Sequence, residues 1–292
     1  MSAIFTILIY VADLLVIYVL SDSINFVFIA GCVIPAAMAV ILLASFFGLR
    51  PKAIKKLRAA DRKNIISAID EIKSGAELIG IKLPKFKVYF NTSDSVNAYA
   101  AGFNAVIIPL GLIKQYGYDS RLLAAVIAHE IAHIKHHDCL YSCIIYANII
   151  GISIGLSVTL FGASLIITIL AAVVLSIIFS DIAALYLAKG FGKMIGKVVG
   201  FIRDLVTSVY YVFSLIFTRL QEYSADAYSA RLGFAFELIY FLEETMNDEY
   251  EETTFWESVS STHPSSYARI KRLEDIDAET ETKSNSFFIE GK

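Results

Sequence analysis

Long apolar stretches constrain this chain more than any other feature. Residues 4–20, 25–49 and 144–180 together carry a single charged side chain, Asp13. Hydrocarbon offers no water to bond the backbone, so such segments fold as helices that satisfy their own N–H and C=O groups. The first two, separated by Ser21-Asp22-Ser23, are each long enough, or nearly so, to cross a core about 30 Å thick. No basic region precedes them and a second apolar stretch follows at once, so a cleavable signal peptide is not expected. The third has 37 residues, too many for one straight crossing. It is expected to form a hairpin that turns near Phe161-Gly162-Ala163-Ser164. Residues 181–218 mix apolar positions with Lys189, Lys193, Lys197, Arg203 and Asp204. They fit an amphipathic helix on the membrane surface, or part of a fourth span near Val206 to Phe217, which would leave 144–180 as one long tilted helix.

Composition agrees with a membrane protein that has one soluble part: 57% of residues are hydrophobic and the mean hydropathy is +0.63. A net charge of −3 with no strong basic patch excludes nucleic acid as a partner. Cys32, Cys139 and Cys143 form neither a disulfide framework nor a C-x-x-C site and read as small buried hydrophobes. Arg50, Lys52, Lys55, Lys56, Arg58, Arg62 and Lys63 follow the second stretch, whereas the break at 21–23 has no basic residue. The positive-inside rule therefore places residue 50 onward in the cytoplasm. Asp13, inside the first stretch, is either a functional carboxylate or a helix-packing contact.

Residues 50–143 read as a soluble α+β part. A helix is expected over about 53–80. Strands are expected over Lys85–Phe90, which alternates in polarity, and over Asn97–Phe103 and Ala105–Pro109, with a turn near Asn104. An edge strand here could pair with an extended peptide or belong to a plain structural hairpin; the residues alone leave both open.

His129-Glu130-Ile131-Ala132-His133 matches H-E-x-x-H, and Asp119 or Ser120 could cap its helix. Residues four apart share a helix face, so the two imidazoles can grip one metal ion. Glu130 lies beside that face, where a carboxylate can take a proton from metal-bound water. The flanking Leu122, Leu123, Val126, Ile127, Ile131 and Ile134 bury the helix, and buried polar groups need partners. His137 is eight residues past His129, about 12 Å along a helix, too far to share an ion whose bonds are about 2 Å. His136 and His137 therefore read as interfacial or solvated. The better third ligand is Glu222, which shares a helix face with Asp226; one carboxylate can bind metal while the other orients an imidazole. Glu222 must lie on the same membrane side as His133, so the crossings between them must be even in number.

Four blocks in order give the chain a family resemblance: Asn97-Ala98-Tyr99-Ala100-Ala101-Gly102, then His129 to Lys135 with Asp138, then Glu222 to Asp226, then Thr262-His263-Pro264-Ser265 with Arg269-Ile270. The chain resembles the HtpX-type membrane zinc metalloproteases, relatives of the CAAX prenyl protease type I. The resemblance implies a mainly α integral membrane fold, with a zincin-like α+β catalytic domain and a small β-sheet anchored by about four transmembrane helices. It implies one zinc ion per subunit, held by His129, His133 and Glu222, with Glu130 as general base and then acid and Asp226 supporting the ligands. It implies that Asn97 and Ala98 sit on a substrate-pairing edge strand. His263 and Arg269 would lie near the cleft and stabilise an oxyanion. Polypeptides, chiefly membrane or misfolded proteins, would be the substrates, in quality control at the inner membrane.

The expected organisation is two transmembrane helices in 1–49, a cytosolic catalytic part in 50–143, a membrane hairpin in 144–180, an interfacial segment or part of a fourth span in 181–218, a catalytic return in 219–274 and a flexible tail in 275–292. A non-catalytic membrane scaffold with a retained metal site and a metal transporter are the competing readings. Intact ligands and base argue against the first, and ligands that flank the spans argue against the second.

Overall fold

A computed structural model describes residues 32–179, 181–245 and 264–290. The first expected span, Asp13 and His263 lie outside the described residues. Two compact units divide the chain: Leu42–Ser142 with Leu215–Lys292, and Met1–Ile41 with Cys143–Ser214.

Helix α1 (Ile34–Phe47) is apolar but for Ser45, as expected within the second stretch. The first compact unit then builds a four-stranded sheet from β1 (Lys52–Ala53), β2 (Lys87–Asn91), β3 (Tyr99–Ala101) and β4 (Ala105–Pro109). The order is β1-β2-β4-β3, with β2 and β4 parallel and the outer pairs antiparallel. β4 reads Ala-Val-Ile-Ile-Pro and is buried along its length, the apolar run expected of a strand covered on both faces. β3 occupies an edge. Gly102 takes φ +60° in the turn that joins it to β4, a conformation costly for any residue with a Cβ.

Helix α2 (Ala59–Leu78) starts six residues later than the sequence suggested, because a short 3₁₀ turn over Ile54–Lys56 comes first. After α3 (Leu110–Tyr116) comes α4 (Ser120–His136), the centre of the core. Asp119 caps α4 by accepting from the backbone N–H groups of Arg121 and Leu122 at 3.0 and 3.1 Å. Every residue from Leu122 to Ala132 is buried. His137 ends the helix in the left-handed region at φ 58°, its N–H reaching the carbonyls of His133 and Ile134.

The chain leaves this unit along α5 (Asp138–Ile178, 41 residues) and returns along α6 (Asp181–Ser229, 49 residues). Both are long and apolar enough, by length and composition, to cross a membrane. The expected hairpin within 144–180 is corrected here. α5 runs unbroken through Phe161-Gly162-Ala163-Ser164. Ser164 and Thr168 turn their hydroxyls onto the carbonyls of Phe161 and Ser164, at 2.9 and 2.7 Å, so the small polar residues are satisfied without breaking the helix. In the second unit Ile34, Ala147, Ile152 and Leu156 form a buried cluster against which Val206 and Tyr210 pack.

A π-helical segment (Ala230–Phe234) separates α6 from α7 (Ala235–Thr245). Gly233 takes φ 89° there and produces the kink. Helix α8 (Ser266–Glu290) extends through most of the tail expected to be flexible. Leu273 is fully buried at its start, and the Glu- and Lys-containing remainder has fair helix propensity.

Candidate metal centre and active-site cleft

Helix geometry sets the first two donors. His129 and His133 are one turn apart on α4, their rings 4.9 Å apart and nearly perpendicular. Their Nε2 atoms lie 3.2 Å from each other. The third donor comes from the last two turns of α6, where Glu222 Oε2 is 3.4 Å from His129 Nε2 and Oε1 is 3.9 Å from His133 Nε2. Ala124, Ala125 and Ala128 of α4 and Ala225 of α6 are fully buried, and small side chains let helices approach closely. Ser229 fixes the approach by donating to the Ala125 carbonyl at 2.9 Å.

Among the described residues, His129, His133 and Glu222 form a group whose donor atoms all lie within 4.8 Å of one another. Zinc–nitrogen bonds of about 2.0–2.1 Å in tetrahedral geometry separate neighbouring donors by about 3.3 Å, so these residues fit a zinc ion and leave a fourth position open. His136 and His137 stay outside the group, as expected. His136 is half-buried with Nδ1 3.4 Å from Ser224 Oγ, and burial lowers its pKa.

Each imidazole is held from behind. His133 Nδ1 is 2.8 Å from Asp138 Oδ2. His129 Nδ1 is 2.9 Å from Asp226 Oδ1, a close contact with a bent approach. A carboxylate on Nδ1 keeps the proton there and leaves the Nε2 lone pair free for metal. Asp226, expected in this place from its spacing to Glu222, is itself gripped by Arg269, whose Nε and Nη2 bond its two oxygens at 2.8 and 2.6 Å. The third nitrogen of Arg269, Nη1, lies 3.3 Å from Glu222 Oε2. Burial opposes charge on this guanidinium, but Asp226, Glu222 and Glu130 outweigh it and hold the proton. The fork of Arg269 is thus committed to carboxylates, which differs from the oxyanion role expected of it; it borders the cleft as a clamp on two of the acids.

Burial also works against a proton on His129, yet Asp226 and Glu222 raise its pKa to about 10.

The cleft over these groups has a volume of about 540 Å³. Glu130, 9% exposed, faces it beside His129 and His133. One border is formed by Asn97, Ala98, Tyr99 and Ala100, that is, β3 and the two residues before it. Pro264 and Ser266 border it from the start of α8. The structure thus brings together every expected site residue it describes. Asp138, given no role from sequence, is the addition.

Residues 61–277 match the family model described as Peptidase family M48. The crystal structure of S. mikatae Ste24p has a similar fold, with a TM-score of 0.55 at 16% identity over 91% of this chain. The chain spans 62% of the length of that protein. No curated protein gives a significant match.

Proposed function

The chain belongs to peptidase family M48, and on that premise we propose that it is a zinc-dependent, membrane-embedded endopeptidase of the HtpX type. Its substrates are membrane or misfolded proteins, and its catalytic unit faces the cytoplasm, as the basic run after α1 indicates. One observation carries this reading. Two imidazoles and a carboxylate converge within 4.8 Å beside the Glu130 carboxylate in an open cleft, and that cleft is bordered by an edge strand.

His129, His133 and Glu222 would hold the ion. When bound, zinc polarises a carbonyl and makes its water acidic enough to ionise near neutral pH. Glu130, in the cleft beside the ligands, takes the water proton and later delivers it to the leaving amine. Asp138 and Asp226 keep both imidazoles in the ligating tautomer, and Arg269 offsets the negative charge gathered by Asp226 and Glu222. The outer edge of β3 can pair with an extended main chain, which suits a segment that has lost its own structure. Asn97 and Ala98 lead into that edge.

Glu130→Gln preserves shape and removes the base. The variant is expected to retain zinc, measured by elemental analysis, while cleavage of a casein-type substrate falls about 10²–10⁴-fold. Wild-type turnover by this variant would overturn the assignment. Chelation is expected to abolish cleavage and added zinc to restore it.

A further inference from the structure

The end of α1 and the turn between β3 and β4 share one apolar surface. We infer that this surface sits in the headgroup boundary of the bilayer, with Phe103 as its tip. The inference rests on the reading of α1 and α5 as membrane spans and is independent of the peptidase chemistry. Val40, Leu43 and Phe47 recur at helical spacing on α1 and are 65, 57 and 65% exposed, so the helix presents an uncovered apolar stripe. Phe103, in the turn after β3, is 67% exposed.

Several contacts join that turn to the end of the stripe. Phe46 packs edge-on against Phe47 and also against Tyr89 of β2, with ring centroids 5.1 and 5.7 Å apart. Asn91 donates its side-chain amide to the Leu49 carbonyl at 3.1 Å, which fixes the chain just past the helix. A Cβ placed on Gly102 would lie 3.8 Å from the Phe46 Cβ, so the turn rests against the last turn of α1. On its other side, Gly102 and Phe103 line a small cavity with Cys139 and Leu140 at the start of α5. The turn is thus held between the end of one apolar helix and the start of another.

The occupant follows from that position. A span ends where hydrocarbon gives way to headgroups, and apolar rings enter this boundary to a depth of about 5–10 Å. Gly102-Phe103-Asn104 carries no charge, and the Asn104 carbonyl already accepts the Lys87 N–H at 2.8 Å. Entry therefore strips no water from an ionised group. Arg50 and Lys52, both exposed, follow Phe47 within five residues and supply cations for lipid phosphates. β3 ends at the residue before Gly102, so this contact carries the edge strand to the bilayer surface.

The test uses the full-length chain with Trp256→Phe, which removes its single tryptophan, and a new tryptophan at one chosen position. Each variant is reconstituted in phosphatidylcholine–phosphatidylglycerol vesicles whose acyl chains are plain or brominated near the headgroup end. Phe103→Trp is expected to lose most of its fluorescence in the brominated vesicles and to stay bright in aqueous iodide. Quenching by iodide alone would put this position in water and overturn the inference. Fluorescence untouched by either agent would put it under protein, a second copy or residues 1–31, and would overturn it too. Ile169→Trp, on α5, reports the span itself. If brominated lipid quenches Ile169→Trp and not Phe103→Trp, the surface contact alone fails. If it quenches neither, the span reading fails with it. Should Phe103→Trp fold poorly, Phe47→Trp reads the same surface by the same criteria.

Discussion

Asp138 and Asp226 each stand behind one imidazole, at 2.8 and 2.9 Å, and each fixes a tautomer. Asp138→Asn keeps the shape and weakens the acceptor. Its zinc affinity, measured by competition with a chromophoric chelator, is expected to fall about 10–100-fold. The raised pKa of His129 gives a second residue-scale prediction. A folded pKa of about 10, above the ordinary 6.5, adds stability that is fully present below pH 6.5. That stability drains away as pH climbs toward 10. The melting temperature of metal-free protein should therefore fall across this window, while zinc-loaded protein, in which the ion has displaced the proton, should not show this decline. His129, His133, Glu222 and Asp226 were legible in the sequence because i,i+4 spacing on a helix is itself a geometry. Asp138 was not. Five residues past His133 on an unbroken helix it would point about 140° away. Only the left-handed turn at His137 brings it back behind the ring.

At the scale of elements, α4 must be placed before it can bind anything. Asp119 closes its first turn, and Ser120 adds a bond to Glu71 of α2. Asp119→Ala is expected to cost about 1 kcal/mol in denaturant unfolding. α2 itself comes very near the return segment, since a Cβ on Gly75 would lie 2.5 Å from the Leu232 carbonyl. Most strands were legible from alternation, apolar runs and the turn near Asn104, but β1 has two residues and no pattern to display. The hairpin expected in 144–180 rested on bilayer thickness as an upper limit for helix length. α5 exceeds that limit, because nothing in Phe161–Ser164 stops a helix whose hydroxyls bond inward.

Across the whole molecule, the site joins three distant parts of the chain: α4, the end of α6 and the start of α8. Arg269 is the only contribution of α8 to the carboxylate cluster among the described contacts, through its bonds to Asp226 and Glu222. Arg269→Ala would leave two buried acids without their cation, a loss expected to cost about 3–5 kcal/mol. Zinc should recover part of it, since an ion that binds only the folded state stabilises by about 2.7 kcal/mol at a hundred times its Kd. Thermal melts of the variant with and without zinc would measure both.

The third donor follows the second by 89 positions in the chain, and the longest described helices, α5 and most of α6, are made in between. A nascent polypeptide stalled before Glu222 owns a pair of imidazoles and nothing to close the ring around an ion. On the peptidase reading, the order of synthesis delays the onset of cutting, because both long helices are largely made before the ring can close.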